Sequence, residues 1–476
     1  MEKILVKTGT EGLDKVLYGG IPRGNTVLLE GLPGTGKTIL GMQFLYYGAV
    51  KYGEAGIYIT FEEFPDQIHE DMKQFGWDIR KLELENKIRV VTLTPEILMD
   101  QIHKPEGIFD QMVKDMDCKR VVIDSISLFQ YYYSNVETQR KVIYSLRNTL
   151  RKFSLTSLLL KEFTQIEEEN VSFINYLVDG VISLDLKPQF NNYRKRILEV
   201  TKMRGSKIQE GEHLYRISDH GIHLIPALSM VEDEFATTPD YVVPIGIPKI
   251  DQIIGGGIHI GSSYTIDTNS KSNYRYLIAT IQAERILAGE KLLIFLSSLT
   301  TISELEITLE QYDINLEEIV IEGRIMFIEH YNRQVPEKYK KAIINVADMD
   351  NRRYRQVLEE EIFSVIAQDI EEGEKWFAYY DLNTIISQRG TDFVKKYFGE
   401  EVAKVSSIGM TMLALTNFKE LGDEVSSFIE RSSNGVIRTW VDGNYQYLQV
   451  TKTANGRISE PLLVEKIDEK PYIRLV

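Results

Sequence analysis

The chain has 476 residues, which is too long for one ordinary domain and predicts two or three. Hydrophobic residues make up 43% of it and charged residues 26%, values typical of a soluble globular protein. Its formal net charge of −15 argues against a generally basic surface for nucleic acid, although it leaves a local basic channel open. The one cysteine, Cys118, excludes an intrachain disulfide and a zinc site built from several cysteines. An apolar leader and any run long enough to cross a bilayer are both missing, so we expect a cytoplasmic protein without a membrane span.

A glycine-rich loop between a strand and a helix is the first element with a chemical signature. The apolar run 25–30 predicts the strand, and the apolar face of 37–47 predicts the helix. The loop has the form G-x-x-x-x-G-K-T, whose glycines let backbone N–H groups converge on phosphate oxygens at a helix N-terminus. We therefore expect ATP to bind there through Gly31, Leu32, Pro33, Gly34, Thr35, Gly36, Lys37, Thr38 and Ile39.

Two side chains of this loop have predicted roles with the phosphates and with Mg²⁺. Lys37 would reach the β- and γ-phosphates, and the Thr38 hydroxyl would bind Mg²⁺. A later apolar strand, predicted over 120–125, ends in Asp124, which is the Walker B pattern. Asp124 would hold the Mg²⁺ shell through water.

An acidic pair follows the strand predicted over 56–61. This strand ends in Glu62 and Glu63, one crossover beyond the glycine-rich loop. Ligands of α/β sheets collect at strand ends, so a carboxylate there would orient or deprotonate the water that attacks the γ-phosphate. The alternative interpretation is a solvated acidic pair at the start of a loop.

The region after Asp124 predicts one helix and three further strands. Residues 136–153 have helical spacing, and 157–163 form an apolar strand that ends in Glu162. Residues 179–184 and 196–200 alternate as antiparallel strands at a sheet edge would. The helix also carries basic residues that we interpret as solvated or interfacial, namely Arg140, Lys141, Arg147 and Arg151.

A tight glycine turn after the last of these strands carries Lys202 and Arg204. Cations on such a turn would be able to act on a nucleotide bound by a neighbouring chain. An ordinary basic hairpin is the alternative, and the residues alone leave both interpretations open.

Six short motifs follow one another in the first half: Gly-Leu-Asp at 12–14, Gly-Gly-Ile-Pro-Arg-Gly at 19–24, the loop at 31–38, Thr-Phe-Glu-Glu at 60–63, Val-Val-Ile-Asp-Ser at 121–125 and Lys-Met-Arg-Gly at 202–205. Together they resemble the motifs of KaiC-type ATPases of the RecA superfamily. The resemblance implies a homo-oligomeric ring, often a hexamer, with ATP at the subunit interfaces. It also implies that Glu62 and Glu63 are the catalytic pair and that Lys202 and Arg204 act in trans. One departure is Ile208, which stands where the family often has a histidine.

The second half of the chain repeats the start of the first. Asp251 and Gly261 stand 237 residues after Asp14 and Gly24, and Gly-Gly-Ile at 256–258 matches Gly-Gly-Ile at 19–21 at the same offset. Proline and acidic residues before this repeat indicate a linker. We therefore predict three parts: an ATPase domain over 1–230, a linker over 231–244 and a degenerate copy over 245–476.

This copy has lost the residues that carry the chemistry. The acidic pair is replaced by uncharged residues in 297–300, Ala454 replaces Arg204, and Asp381 remains as a Walker B-like residue. The loss implies a pseudo-ATPase domain kept for its shape or for a protein partner. At the glycine-rich loop the replacements are Thr268 for Gly31, Lys271 for Gly34, Asn273 for Gly36, Tyr274 for Lys37 and Arg275 for Thr38.

The sequence thus predicts an α/β protein with two tandem RecA-like, P-loop NTPase domains. Each would have a mostly parallel central sheet flanked by helices, with an antiparallel edge. One candidate function is a KaiC-like regulator that hydrolyses ATP slowly in a ring. A second is a RecA- or RadA-like ATPase of DNA recombination or repair, but the sequence shows no basic glycine-rich loop, helix-hairpin-helix signal or zinc module for DNA. A third is an ATP-binding scaffold or motor accessory with little hydrolysis.

Overall fold

The chain forms two compact units, 1–229 and 230–476. The structure is a computed structural model, and the residues it describes are 4–104, 106–133, 135–163, 173–188, 194–227, 241–269 and 271–476. Most of the predicted linker 231–244 therefore lies outside the described residues.

The described part of the first unit alternates strands with helices through most of its length. Its strands are β1 (Leu5–Val6), β2 (Ile21–Pro22), β3 (Thr26–Gly31), β4 (Gly56–Thr60), β5 (Ile88–Thr92), β6 (Arg120–Asp124), β7 (Thr156–Glu162), β8 (Gly180–Pro188), β9 (Arg194–Met203), β10 (Glu212–Ser218) and β11 (Gly221–Ile225). Its helices are α1 (Glu11–Val16), α2 (Lys37–Lys51), α3 (Pro65–Lys73), α4 (Ile79–Leu84), α5 (Pro95–His103), α6 (Ile108–Asp115), α7 (Leu128–Tyr132), α8 (Val136–Lys152) and α9 (Phe173–Leu177).

One large sheet organises this unit, with the strand order β11-β10-β9-β8-β3-β7-β6-β4-β5. The six strands from β8 to β5 run parallel, and β9, β10 and β11 continue the sheet antiparallel. The sequence placed residues 179–184 in the antiparallel edge, and this is wrong in part. Because α9 provides a crossover after β7, β8 returns parallel to β3 and only its outer side pairs antiparallel, with β9.

Helices cover both faces of this sheet, which explains the uninterrupted apolar runs of the central strands. Every residue of β3 and of β4 is buried. Two hydrophobic clusters form, one on each face, around the α2 side and the α8 side. In this sheet β3 lies between β7 and β8, whereas β4, the next strand in sequence, lies beyond β6. The strand order therefore changes direction beside β3, and the loop after β3 opens at the resulting crevice.

The second unit is built in the same way over its described residues. Its strands are β12 (Val242–Val243), β13 (Ile258–His259), β14 (Ser263–Thr268), β15 (Lys291–Phe295), β16 (Ile325–Glu329), β17 (Ile343–Asn345), β18 (Trp376–Asp381), β19 (Thr411–Thr416), β20 (Gly435–Asp442), β21 (Tyr445–Lys452), β22 (Leu462–Lys466) and β23 (Ile473–Leu475). Its helices are α10 (Pro248–Ile254), α11 (Arg275–Leu287), α12 (Ile302–Glu310), α13 (Leu316–Ile321), α14 (Asn351–Gln356), α15 (Ser364–Glu371), α16 (Leu382–Arg389), α17 (Thr391–Ser407) and α18 (Phe418–Ser432), with a 3-10 helix at Glu337–Ala342 and a π-helix at Val357–Phe363.

The strand order of the second sheet repeats the first and adds one strand at its parallel edge. It reads β23-β22-β21-β20-β14-β19-β18-β15-β16-β17, so β14 takes the place of β3 between two parallel neighbours. The fold class predicted from the sequence is thereby confirmed for both halves. One detail differs: Val242–Val243 fall in the predicted linker, yet they pair with Ile258–His259 as β1 pairs with β2.

Candidate functional site

The glycine-rich loop joins β3 to α2 and is held in a fixed shape by short contacts. Gly34 and Gly36 adopt φ values of 77° and 93°, a region that favours glycine. At Gly31 a Cβ would lie 2.4 Å from the carbonyl oxygen of Leu184, so only glycine fits beside β8. The Tyr215 hydroxyl donates to the carbonyl oxygen of Thr35 at 2.5 Å and ties the loop to β10. The loop is therefore a rigid backbone cradle at the N-terminus of a 15-residue helix, as phosphate binding requires.

Lys37 lies within this cradle. Its Nζ donates to the carbonyl oxygens of Gly31 and Leu32 at 2.9 and 3.0 Å, and the Glu162 carboxylate lies 3.8 Å away. Burial lowers the pKa of Lys37 from its ordinary value, and the charges of Glu162 and Asp124 oppose that shift. The ammonium group is thus held by the loop itself, next to the site where the sequence predicts the β- and γ-phosphates.

Thr38 at the amino end of α2 meets Asp124 at the carboxyl end of β6. The Thr38 hydroxyl donates to Asp124 Oδ2 at 2.8 Å, and the buried Tyr58 hydroxyl donates to the same oxygen at 2.5 Å. Burial raises the pKa of Asp124, and the hydrogen bonds from Tyr58 and Thr38 act against this rise. A hydroxyl and a carboxylate oxygen side by side are hard ligands that fit Mg²⁺, directly or through water.

The described residues hold no group of three or more His, Cys, Asp or Glu side chains that would bind a metal ion by themselves. Mg²⁺ at Thr38 and Asp124 would therefore complete its ligand set with phosphate and water oxygens, which is usual for this ion.

The acidic pair lies on the turn directly after β4. The Thr60 hydroxyl accepts from the N–H groups of Glu62 and Glu63 at 3.4 and 3.1 Å, which fixes the turn. Glu62 is exposed, whereas Glu63 is half-buried. Burial raises the pKa of Glu63, and the charges of Asp124, Asp71 and Glu62 raise it further. Thr60 pairs with Asp124 across β4 and β6, and the Phe61 N–H donates to the Asp124 carbonyl oxygen at 3.1 Å, so the turn that carries Glu63 begins beside the Walker B residue.

The predicted trans residues lie elsewhere in the first unit. Lys202 on β9 pairs with Val181 on β8, and Val181 pairs with Leu28 near the start of β3. The loop follows Gly31, at the other end of β3. At strand spacings, this places Lys202 about 10 Å back along the sheet and about 10 Å across it. Arg204 follows on the same turn. The structure therefore does not bring these two cations to the loop of their own chain.

Sequence reasoning missed three features of this unit. It gave no role to Tyr58, which contacts Asp124, or to Glu162, which lies beside Lys37. It also interpreted Arg147 as solvated or interfacial, and this is wrong: its side chain is 9% exposed and pairs with buried Asp179 at 2.6 Å. A signal was present, because Arg147 stands four residues after buried Ile143 and so shares its helix face.

In the second unit, side-chain oxygens accept hydrogen bonds from backbone N–H groups of the corresponding loop. Asn269 Oδ1 accepts from the Lys271 N–H at 3.3 Å, and the Asn273 N–H donates to Gln446 Oε1 at 3.1 Å. Tyr274, which replaces Lys37, packs against the hydrophobic core. The phosphate cradle is thus replaced by a loop in which two of the amides bind side chains, one from the loop itself and one from β21.

Other parts of this second site are kept in form but not in chemistry. Ser297 accepts from the N–H groups of Leu299 and Thr300 at 3.2 and 2.8 Å, which reproduces the turn of Thr60 without its carboxylates. Asp381 is buried and caps α16 by accepting from the Thr384 N–H at 2.9 Å. The carboxylate that matches Asp124 therefore stabilises a helix.

None of the helices within the described ranges is both long enough and apolar enough to cross a bilayer.

Comparison with known proteins gives a consistent picture of the first unit. A family model described as "ATPase: KaiC" matches residues 6–229. UPF0273 proteins of Sulfurisphaera tokodaii and Pyrococcus furiosus are each 36% identical, over 236 and 235 residues, and the matches cover 47% and 46% of this chain and 82% and 94% of those proteins. A solved KaiC-like protein from Pyrococcus horikoshii is 33% identical, with a TM-score of 0.43, over 47% of this chain and 100% of that one.

A longer match extends into the second unit. The circadian clock oscillator protein KaiC of Parathermosynechococcus lividus is 28% identical over 346 residues, which is 68% of this chain. The first unit alone makes up less than half of the chain, so this match continues beyond it. The chain spans 61% of the length of that clock protein.

Proposed function

The chain belongs to the KaiC family of ATPases, and on this basis we propose that its first unit binds ATP with Mg²⁺ and hydrolyses it, whereas its second unit binds no nucleotide. One observation carries the proposal. The loop lysine Lys37, the pair Thr38–Asp124 and the turn that carries Glu63 lie at the carboxyl edge of β3, β4 and β6. Their counterparts in the second unit are Tyr274 for Lys37, Arg275 for Thr38, the helix-capping Asp381 for Asp124 and uncharged residues for the acidic pair.

The reaction proposed is attack of water on the γ-phosphate, in line with the leaving β-phosphate oxygen. The loop amides and Lys37 hold the phosphates, and Thr38 and Asp124 hold Mg²⁺. Bound Mg²⁺ would neutralise charge on the phosphate oxygens. Glu63, whose pKa is raised, is suited to accept the proton of the attacking water, and exposed Glu62 beside it orients that water.

We further propose that copies of the chain assemble in a ring, of which a hexamer is the expected form. Lys202 and Arg204 lie at the edge of the sheet opposite their own loop, so contact with a nucleotide requires the loop of another copy. A charge supplied in this way stabilises the transition state of phosphoryl transfer. Turnover in such an assembly is expected to be slow and to serve regulation, with the second unit as scaffold or partner surface.

Hydrolysis assays on single variants test the assignment. Lys37→Ala removes the ammonium group from the phosphate cradle, and we expect it to abolish ATP hydrolysis. Glu62→Gln combined with Glu63→Gln leaves no carboxylate on the turn, and we expect phosphate release to fall by at least about a hundredfold, the scale of general-base catalysis. Undiminished phosphate release in both variants would show that the site is elsewhere.

The same assay with single-stranded and duplex DNA separates this function from that of a recombinase. We expect no change in turnover, because the chain is acidic overall. Strong stimulation by either form of DNA would favour the recombination function instead.

A further inference from the structure

Arginines surround one buried carboxylate at the amino-terminal edge of the first sheet. Asp179 Oδ1 accepts from Arg147 Nη2 at 2.6 Å and from Arg151 Nη2 at 3.1 Å, and Arg204 Nη1 lies 3.8 Å away. Asp179 Oδ2 accepts from the Thr26 N–H at 3.1 Å. The Asp179 side chain is 2% exposed, whereas those of Arg151 and Arg204 are each 53% exposed. One fixed carboxylate therefore positions two arginines that reach the surface.

The charges of this cluster do not balance. Burial by itself would raise the pKa of Asp179, but the hydrogen bonds from Arg147 and the Thr26 N–H, with the charges of Arg147 and Arg151, hold it below its ordinary value. Asp179 is thus ionised at neutral pH, yet its one negative charge faces three guanidinium groups. A half-exposed pair of arginines with excess positive charge is suited to a phosphate, which guanidinium groups contact through paired N–H donors.

The second unit shows what becomes of this cluster when the nucleotide site is lost. Asn434 takes the place of Asp179: its N–H donates to the Ser263 carbonyl at 2.7 Å, and its Oδ1 accepts from the Ser263 N–H at 2.9 Å. Asp179 makes the same two contacts with Thr26, at 2.8 and 3.1 Å. The backbone bridge is therefore kept while the charge is removed.

All three arginines are replaced as well. The helices α8 and α17 end in the same pair of backbone hydrogen bonds before β7 and β19, which aligns their last turns. The resulting matches are Val402 for Arg147, Ser406 for Arg151 and Ala454 for Arg204. The guanidinium groups and their carboxylate are thus absent from the unit whose loop no longer forms a phosphate cradle.

The neighbouring lysine behaves differently. Lys202 Nζ donates to the carbonyl oxygens of Asn175 and Val178 at 2.6 and 2.8 Å. Its counterpart Lys452 likewise donates to two carbonyl oxygens, at 2.7 and 3.3 Å. A lysine with this contact is kept in both units, so the contact itself does not depend on the nucleotide site, whereas the loss of the arginines accompanies the loss of the chemistry.

On the basis of the proposed ATPase function, we propose that Arg151 is a further residue that contacts phosphate. With Arg204, it contacts the terminal phosphates of a nucleotide held by the loop 31–38 of a second copy of this chain. Asp179 is the positioning residue for both arginines. The second copy is required because this edge of the sheet lies away from the loop of its own chain.

Steady-state hydrolysis by the full chain tests the proposal. Arg151→Ala is expected to lower kcat at least about tenfold, a small part of the effect of a complete arginine finger because Arg204 remains. Lys152→Ala is the matched control, since it removes one positive charge from the next, exposed position of α8 and is expected to leave kcat unchanged. Thermal unfolding of each variant shows whether the fold is intact. If Arg151→Ala does not fold, Arg151→Lys replaces it, because it keeps the charge but not the paired donors.

A mixing experiment identifies the copy on which Arg151 acts. Subunits with Lys37→Ala lack a working loop but keep both arginines, so they are expected to restore hydrolysis to Arg151→Ala subunits in mixed assemblies verified by native mass spectrometry. No recovery would place Arg151 in its own chain's site, and a kcat equal to that of the Lys152→Ala control would show that it contacts no phosphate; either result overturns the inference. An inactive wild-type chain would instead refute the proposed ATPase function.

Discussion

At the scale of single residues, a buried tyrosine contacts the Walker B carboxylate. Tyr58 is fully buried on β4 and donates to Asp124 Oδ2 at 2.5 Å, the same oxygen that accepts from Thr38. Burial raises the pKa of Asp124, and this hydrogen bond acts to lower it. Tyr58 therefore helps keep Asp124 ionised and oriented for the proposed Mg²⁺, as partners of metal ligands commonly do.

Replacing Tyr58 with phenylalanine is expected to weaken the use of Mg²⁺. Without the hydroxyl, the pKa of Asp124 rises and its orientation is less fixed, so the Mg²⁺ concentration for half-maximal hydrolysis is expected to rise about tenfold. A titration of activity with MgCl₂ measures this. Tyr144→Phe, at an exposed position of α8, is the control, and equal Mg²⁺ requirements in the two variants would exclude the role of Tyr58.

The pH dependence of hydrolysis is expected to report on Glu63. Its pKa is raised by burial and by the charges of Asp124, Asp71 and Glu62, and a general base must be ionised. Activity is therefore lost as pH falls through this raised pKa. Asp71→Asn removes one of the raising charges, so the acid limb of kcat/KM is expected to move to lower pH. Glu70→Gln, one position earlier on α3, is the control; a limb that moves equally in both variants, or not at all in Asp71→Asn, contradicts the assignment of Glu63.

At the scale of elements, each unit buries one guanidinium group between its sheet and the helix after its loop, but a different element supplies it. In the first unit it comes from Arg120 on β6, which is 0% exposed and bonds to Glu54 and to the Phe44 carbonyl. In the second unit it comes from Arg285 on α11, which stands 237 residues after Gly48 of α2. Gly48 is thus the position that leaves room for Arg120.

Gly48→Ala is expected to destabilise the first unit. Glycine to alanine in a helix interior ordinarily adds up to about 1 kcal/mol of stability, but here the new Cβ would lie 2.6 Å from Cδ and Nε of Arg120. The bonds that fix Arg120 prevent it from moving, so overpacking is expected to cost about 1–3 kcal/mol. Urea unfolding followed by tryptophan fluorescence measures the change, with Val50→Ala at an exposed position of α2 as control. An increase in stability for Gly48→Ala would show that the space is not shared in this way.

Elements set by local patterns were predictable from the sequence, and pairings between distant segments were not. The strand–loop–helix around Lys37 follows from an apolar run, glycines and helical spacing within about 25 residues. By contrast, the bonds from Arg147 to Asp179 and from Tyr58 to Asp124 join residues 32 and 66 positions apart. The direction of β8 also depended on a crossover that its alternating residues do not reveal. The loss of charged site residues from the second unit was predictable, because the sequence repeat allows the two halves to be compared position by position.

At the scale of the whole molecule, the chain combines a unit with the proposed nucleotide site and a unit with the same fold in which the corresponding residues differ. The second sheet repeats the strand order of the first and adds β17 at its parallel edge, and β14 occupies the place of β3. The differences are concentrated at the loop, the turn after β4, the Walker B carboxylate and the arginine cluster. The second unit has kept its fold, which is the expected result when selection preserves shape or partner contacts.

Counting the nucleotides bound per chain is the most direct test of this account. Isothermal titration calorimetry of the full chain with Mg²⁺ and a non-hydrolysable ATP analogue is expected to give one site per chain, and Lys37→Ala is expected to abolish it. Two equivalents per chain, or binding that persists in Lys37→Ala, would contradict a single nucleotide site in the first unit.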